Sequence, residues 1–352
     1  MWNLPAPRPG GFPTVQTAGK NLTGWIVIDT DATVITAPSS KERAAPTFKK
    51  TFGFHPPAAW RANTFECLAM PLRSGNAGSN TAAGHVKVLT AALAQVPGSS
   101  RAEIIVRTDG AGATHELLKH VEGLNTARRT VRYTVGWAIT AADEDAIAAL
   151  PGAARQAAPN QDASVDREYQ VAGPGDLNTR TGWPKGLRLI VRRVRPSGRH
   201  ARNLTALEKR TGWKYSITAA DINRMWGIGG SRQAQWPDAV HRHHAVVEDR
   251  VRCGKAMGLS NLPPASWEVN RSWVSACDIA HDLDAWLRLL VLYDDGGLQV
   301  AGPPTMRYRL YRLPAKLTRH ARYRVLAIER TWPWARVFTV CWRRLAELPA
   351  FR

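Results

Sequence analysis

Asp29 and Asp31 lie in the run Trp25–Ala37 (WIVIDTDATVITA), an apolar, β-branched stretch suited to a buried strand. Side chains alternate across a strand, so both carboxylates fall on one face near its carboxyl end. Ligand sites of α/β sheets gather at strand carboxyl ends, and acids on an apolar strand are costly unless paired or metal-bound. A second strand, Ala102–Val106 (AEIIV), runs into Arg107-Thr108-Asp109-Gly110, where Gly110 and Gly112 allow a tight turn close to a ligand. Alone, Asp109 reads equally well as a helix cap. Beside Asp31 on a neighbouring strand, it completes a hard-oxygen site for Mg2+ or Mn2+.

The third acid is Glu248. A helix predicted over Trp236–Gly258 places His241, His244, Glu248, Arg252 and Lys255 on one face, because they step by three or four residues. Val240, Val247 and Val251 supply an apolar face elsewhere. Glu248 could then ligate a metal while its neighbours hold phosphate oxygens; an ordinary surface salt bridge between Glu248 and Arg252 is the plainer alternative. The His241-Arg242-His243-His244 cluster does not make a zinc site, since no cysteine or carboxylate is spaced to complete a tetrahedron.

The elements that must position these groups follow from the pattern. After the first strand come extended runs around Thr47–Ala59 and Cys67–Leu72, a turn-forming loop Arg73–Asn80, and a helix over Thr81–Val96 stopped by Pro97-Gly98. The AEIIV strand, a short helix over Ala113–His120 and a strand over Thr130–Ile139 complete the series. This order predicts an α/β sheet in which an antiparallel meander feeds a parallel half. Residues 151–182 are polar and loop-like, and Gly186–Val194 and Trp213–Thr218 read as strands. Between Lys185 and Lys214 cations crowd against a single acid, Glu208. Alternation of Arg188, Ile190 and Arg192 predicts one cationic, DNA-facing strand surface. Trp267–Tyr293 is a second long helical pattern, and the arginine-rich tail from Thr305 reads as a basic amphipathic element, packed or touching phosphate. The expected segments are an irregular lead-in (1–24), a first catalytic part (25–150), a β-rich basic insertion (151–235), carboxyl-terminal helices (236–300) and a basic tail (301–352). No internal repeat is visible.

Composition narrows the partners. The chain has 352 residues, 44% of them apolar, enough for a large core. Lys plus Arg less Asp plus Glu is 48 − 28 = +20, and such an excess points to a polyanion, nucleic acid above all. No run approaches the roughly 18 apolar residues of a membrane span, and the proline-broken N-terminus lacks a signal-peptide core. Cys67, Cys253, Cys277 and Cys341 never form CxxC, which argues against zinc and against a disulfide framework and fits a reducing cytoplasm. The 14 tryptophans scatter along the chain and read as core or groove-lining residues.

Taken in order, the acids resemble those of the DDE transposases encoded by bacterial insertion sequences. Asp31-Ala32-Thr33 looks like their first-strand D-x-T motif, and Arg107-Thr108-Asp109-Gly110 like the motif of the second Asp. The helix is similar to their Y-(2)-R-(3)-E-(6)-K signature, with Glu248 and Lys255 as E and K, although His241 and His244 stand where Tyr and Arg are expected. Four further segments resemble the subgroup carrying a DDE domain of group 1: APTFKKTFGFHP (45–56), RSGNAGSNTAAGH (73–85), VEDRVRCGKAMGLSNLP (247–263) and NRSW (270–273). The resemblance spans roughly residues 25–345.

The resemblance implies an RNase H-like mixed sheet with flanking helices, interrupted by a β-rich insertion before the third acid. It implies that Asp31, Asp109 and Glu248 bind two Mg2+ or Mn2+ ions, with Asp29 as an additional ligand. Lys255, Arg252, His244, His241 and Arg192 are the expected DNA or phosphate contacts. The expected partners are double-stranded DNA (terminal inverted repeats and target) and a second copy in a synaptic homodimer, in the cytoplasm at the nucleoid. Relatives carry a helical DNA-binding region ahead of the first strand, so a shortened N-terminus is expected here. Two rival readings stay open. One is a catalytically inactive remnant that only binds DNA. The other is a haloacid-dehalogenase-like phosphatase, in which IVIDTDATV would carry Asp29 as nucleophile and Asp294-Asp295-Gly296-Gly297 the later acidic motif.

Overall fold

In the computed structural model, residues 11–78, 81–173, 182–198 and 203–349 are described. Arg199 and Arg202 of the basic run, Asn80 of the expected loop and the first ten residues of the lead-in lie outside them. The chain divides into two compact units, one built from Thr14–Asn63 and Leu68–Asp249, the other from Thr64–Cys67 and the chain from Arg250 onward.

The larger unit is organised by a nine-stranded mixed sheet. Its strands are β1 (Trp25–Ala32), β2 (Pro57–Arg61), β3 (Cys67–Ala69), β4 (Glu103–Thr108), β5 (Val131–Trp137), β6 (Gln156–Pro159), β7 (Val165–Ala172), β8 (Arg188–Val194) and β9 (Lys214–Ala220). Their order is β6-β7-β8-β9-β5-β4-β1-β2-β3. β1 pairs antiparallel with β2 and parallel with β4, and β4 pairs parallel with β5. An antiparallel β1–β2 pair therefore joins a parallel half, in the mixed α/β architecture anticipated. β1 shows why: Trp25, Ile26, Val27 and Ile28 are all buried, the continuous apolar run of a strand covered on both faces.

Helices α1 (Ala82–Ala94), α2 (His115–Gly123), α3 (Ala141–Ala149), α4 (Ala206–Thr211) and α5 (Gln235–Arg242) flank the sheet. α1 packs on β1 and β2, and α2 on β5 and α1. α5 covers the side of the sheet bearing Val27 and Ile105, through Trp236, Ala239 and Val240. Burial of a side chain such as Val240 contributes roughly 1.5–3 kcal/mol, which helps to fix α5 against the strands that carry the acids.

The segment expected as an insertion extends this same sheet, with β9 antiparallel to β5 and β8 antiparallel to β9. The strand face expected to meet DNA is instead engaged within the fold. The face bearing Arg188, Ile190 and Arg192 is turned toward α5. Arg188 donates to the carbonyls of Ile222 (2.7 Å) and Arg232 (2.8 Å). Ile190 is buried among Ala158, Val171 and Ala220. Arg192 donates to Ser216 Oγ at 3.2 Å and stands 3.8 Å from Asp238 of α5, so it ties β8 to β9 and α5. Asp238 is buried, which raises its pKa, and Arg242 and Arg192 oppose that shift.

The single helix expected over Trp236–Gly258 is also corrected. α5 ends at Arg242, His243–Ala245 form a tighter 3-10 turn, and α6 (Val246–Gly254) follows. A π-turn spans Lys255–Leu259, and the chain leaves helical geometry at Gly258, whose φ of 123° only glycine adopts readily.

The smaller unit centres on α7 (Trp267–Val291), within the helix expected there. Trp286 Nε1 donates to Glu66 Oε1 at 2.9 Å, and Cys67 N to Asp282 Oδ1 at 2.7 Å. Its apolar cluster joins Trp286, Leu290, Leu298, Met306, Leu310 and Cys341, closed by α8 (Ala335–Ala346). A separate hairpin of β10 (Ala315–His320) and β11 (Tyr323–Ile328) lies ahead of α8. The four cysteines are free thiols. No helix among the described residues is long and apolar enough to cross a membrane.

Candidate active site

Parallel pairing of β1 with β4 sets Asp29 opposite Arg107 and Thr30 opposite Thr108. One residue further on, Asp31 and Asp109 leave the same edge of the sheet from adjacent strands. Asp31 is half-buried, and its Oδ1 accepts from Ala32 N at 2.6 Å. Asp109 is exposed and caps the 3-10 turn Gly110–Gly112, accepting from Ala111 N at 3.0 Å. The capping and ligand readings of Asp109 thus coexist on one side chain. Glu248 is exposed near the start of α6.

Asp31 lies within electrostatic reach of the other two acids. Burial raises the pKa of Asp31, and the negative charges of Asp109 and Glu248 raise it further, against the Ala32 hydrogen bond and His244. Among the described residues, no three His, Cys, Asp or Glu side chains stand close enough to hold one metal ion together. The donor chemistry nevertheless fits a hard divalent cation: carboxylate oxygens, no thiolate, and mutual repulsion that positive charge would offset.

Asp29, expected as an additional ligand, is committed elsewhere. It is 1% exposed and held in a bidentate fork by Arg107, with Nε–Oδ1 at 2.6 Å and Nη2–Oδ2 at 2.8 Å. His244 Nδ1 lies 3.0 Å from the same Oδ1. Burial alone would raise the Asp29 carboxyl, yet Arg107 and His244 prevail and hold it at about 2. Both Asp29 oxygens are thus engaged in the interior by Arg107 and His244. The later acids of the phosphatase reading are committed too: Asp294 pairs with Arg344 at 2.7 and 2.6 Å, and Asp295 caps the turn at Leu298 N at 2.9 Å. That reading falls.

Arg107 is the residue whose importance sequence reasoning missed. Its Nη1 donates to the Val240 carbonyl at 3.0 Å, so one buried guanidinium ties β4 to β1 and to α5. The available signal was an arginine inside an apolar strand, since a buried charge must be paired. His241 is corrected as well. Burial first, then the positive surroundings of His244, Arg107 and Arg192, lower it to about 3. It is neutral near pH 7, with its Nδ1 3.2 Å from Thr134 Oγ1 on β5 and its ring stacked on His244 at 6.1 Å. His244, committed to Asp29 and acting on Asp31, positions carboxylates. Arg252 is exposed in the last turn of α6 and Lys255 opens the π-turn.

A second missed residue is Gly136 of β5. A Cβ there would come within 2.8 Å of Gly110 N and 3.2 Å of Asp109 C, so only glycine lets the Asp109 turn lie against β5.

The sequence matches the family described as transposase DDE domain group 1 over residues 16–350. No curated protein matches it. One similar solved structure is the cryo-EM structure of a piggyBac transposase synaptic complex with hairpin DNA, at 13% identity and a TM-score of 0.35. The alignment covers 87% of this chain and 61% of that one, so this chain spans under two thirds of the length of the protein it matches.

Proposed function

We propose that this chain, which belongs to the transposase DDE domain group 1 family, cleaves DNA strands at the ends of an insertion sequence and transfers them to target DNA. Asp31, Asp109 and Glu248 are its catalytic acids. The observation that carries this reading is that Asp31 and Asp109 follow matched positions on adjacent parallel strands, with the charge of Glu248 also acting on Asp31.

The three carboxylates would hold two Mg2+ or Mn2+ ions, which when bound supply charge relief at the phosphate and activation of a water or 3′-hydroxyl. The chain's own part is positioning. Asp31 is fixed by Ala32 N and Asp109 by Ala111 N, so both acids are oriented by backbone. The buried Asp29–Arg107 pair holds β1 and β4 in register beneath them. Lys255 and Arg252 are proposed phosphate contacts from their spacing to Glu248. The +20 charge supports salt-sensitive affinity for duplex DNA, and a synaptic homodimer at the nucleoid belongs to the same proposal. DNA binding without cutting is the second reading, one that needs the +20 charge but not the three acids.

Incubation with supercoiled plasmid separates the two. Cleavage predicts nicked product in Mn2+ or Mg2+ and none with a chelator; plasmid shifted in a gel yet never nicked overturns the catalytic reading. Gly136→Ala is expected to lower nicking roughly 10- to 100-fold without loss of DNA affinity, because displacing Asp109 by a fraction of an ångström to 1 Å spoils near-attack geometry. Wild-type rates in that variant would show that the β5 contact does not set the Asp109 position.

A further inference from the structure

The hairpin of β10 and β11 in the smaller unit pairs only with itself, in the register Lys316–Ala327, Leu317–Leu326, Thr318–Val325, Arg319–Arg324 and His320–Tyr323. A two-stranded ribbon is marginal in water unless something covers it. This one exposes Leu317 (67%), Tyr323 (75%) and Val325 (48%). Arg319 and Arg324 stand directly opposite each other, a like-charge pair that destabilises a hairpin unless an anion lies between them. Arg322 adds a third guanidinium in the turn. Among the described residues, Lys316, Arg319, Arg322 and Arg324 enter no salt bridge, and the sequence holds no acid from Gly296 to Ile328.

We propose that this ribbon is a DNA-binding arm, with Arg319, Arg322 and Arg324 on phosphates and its apolar and tyrosine side chains against the groove. A two-stranded β-ribbon fits the major groove, and cations there release condensed counterions. Charge decides the occupant. The same ribbon of a second copy would set arginine against arginine, whereas a polyanion removes the Arg319–Arg324 repulsion. The inference rests on the proposed reading for the identity of its ligand, and it is testable without cleavage.

The test is fluorescence anisotropy of a short labelled duplex with the full chain in chelator, across roughly 50–200 mM salt. Arg319→Gln/Arg322→Gln/Arg324→Gln is expected to bind at least about tenfold more weakly and to lose about 2–3 from the log–log salt slope, at about 0.9 per phosphate released. Lys87→Gln/Lys119→Gln/Arg128→Gln, which removes the same charge elsewhere, is expected to change affinity by no more than about twofold. Should the triple ribbon variant fail to fold, Arg322→Gln alone is expected to lose about 1 from the slope. Unchanged affinity and slope, equal loss in the control, or loss of self-association with DNA affinity retained would each overturn the proposal. A protein that binds through the ribbon but never nicks plasmid would sink the cleavage reading and leave this one standing.

Discussion

Asp31→Asn, Asp109→Asn and Glu248→Gln are each expected to lower DNA cleavage about a thousandfold or more, since a metal-held charge contributes several kcal/mol to the transition state and each 1.36 kcal/mol is tenfold. DNA affinity in chelator should hold within a few fold. Stability separates a catalytic from a structural role. The folded state disfavours ionised Asp31 through burial and the charges of Asp109 and Glu248. The amide removes that penalty and keeps an oxygen for the Ala32 N–H, so Asp31→Asn is expected to unfold at an equal or higher urea midpoint. A variant both inactive and clearly destabilised would recast Asp31 as a scaffold residue. Full cleavage by Glu248→Gln would remove the third acid from the assignment.

Much of this site was legible because backbone periodicity carried it. Asp31 and Asp109 could be placed at strand ends from the apolar runs before them, and the strand order fixed their shared edge. The face of the third element was not legible. A run of good helical spacing from Trp236 to Gly258 hid the 3-10 turn at His243–Ala245, which resets the phase on which the stacking of His241, His244 and Glu248 had been reckoned. β6 and β7 were invisible for another reason. Their pairing is made by backbone while only three of their twelve residues are buried, so no apolar alternation marks them. α3 had a readable start, a capping box of Thr140 and Asp143, but its alanine-rich body carries almost no amphipathic stripe. Alternation along β8 is visible as a pattern but does not tell which way the face turns: arginines can alternate on a half-buried face when carbonyls and an aspartate receive them.

Arg107→Met is expected to destabilise the protein by about 3–5 kcal/mol, because removing one partner strands a buried carboxylate. Arg107 and Asp29 are 0% and 1% exposed, so water cannot replace the lost contact, and His244 alone remains beside Asp29. The urea midpoint reports the loss. Arg107→Met/Asp29→Leu is expected to recover most of it, since an apolar pair of similar volume avoids burying either charge. Recovery should not extend to chemistry. The double variant lacks the donor to the Val240 carbonyl and the acceptor for His244, the links that join β4 and β1 to α5 and the turn leading into Glu248. Cleavage is therefore expected to stay about 10- to 100-fold low, the usual loss when a residue orienting metal ligands is removed. Destabilisation below about 1 kcal/mol in Arg107→Met would be the value of a surface pair and would contradict the buried geometry. Full activity in the stable double variant would instead show that the strands hold the acids in place without this pair.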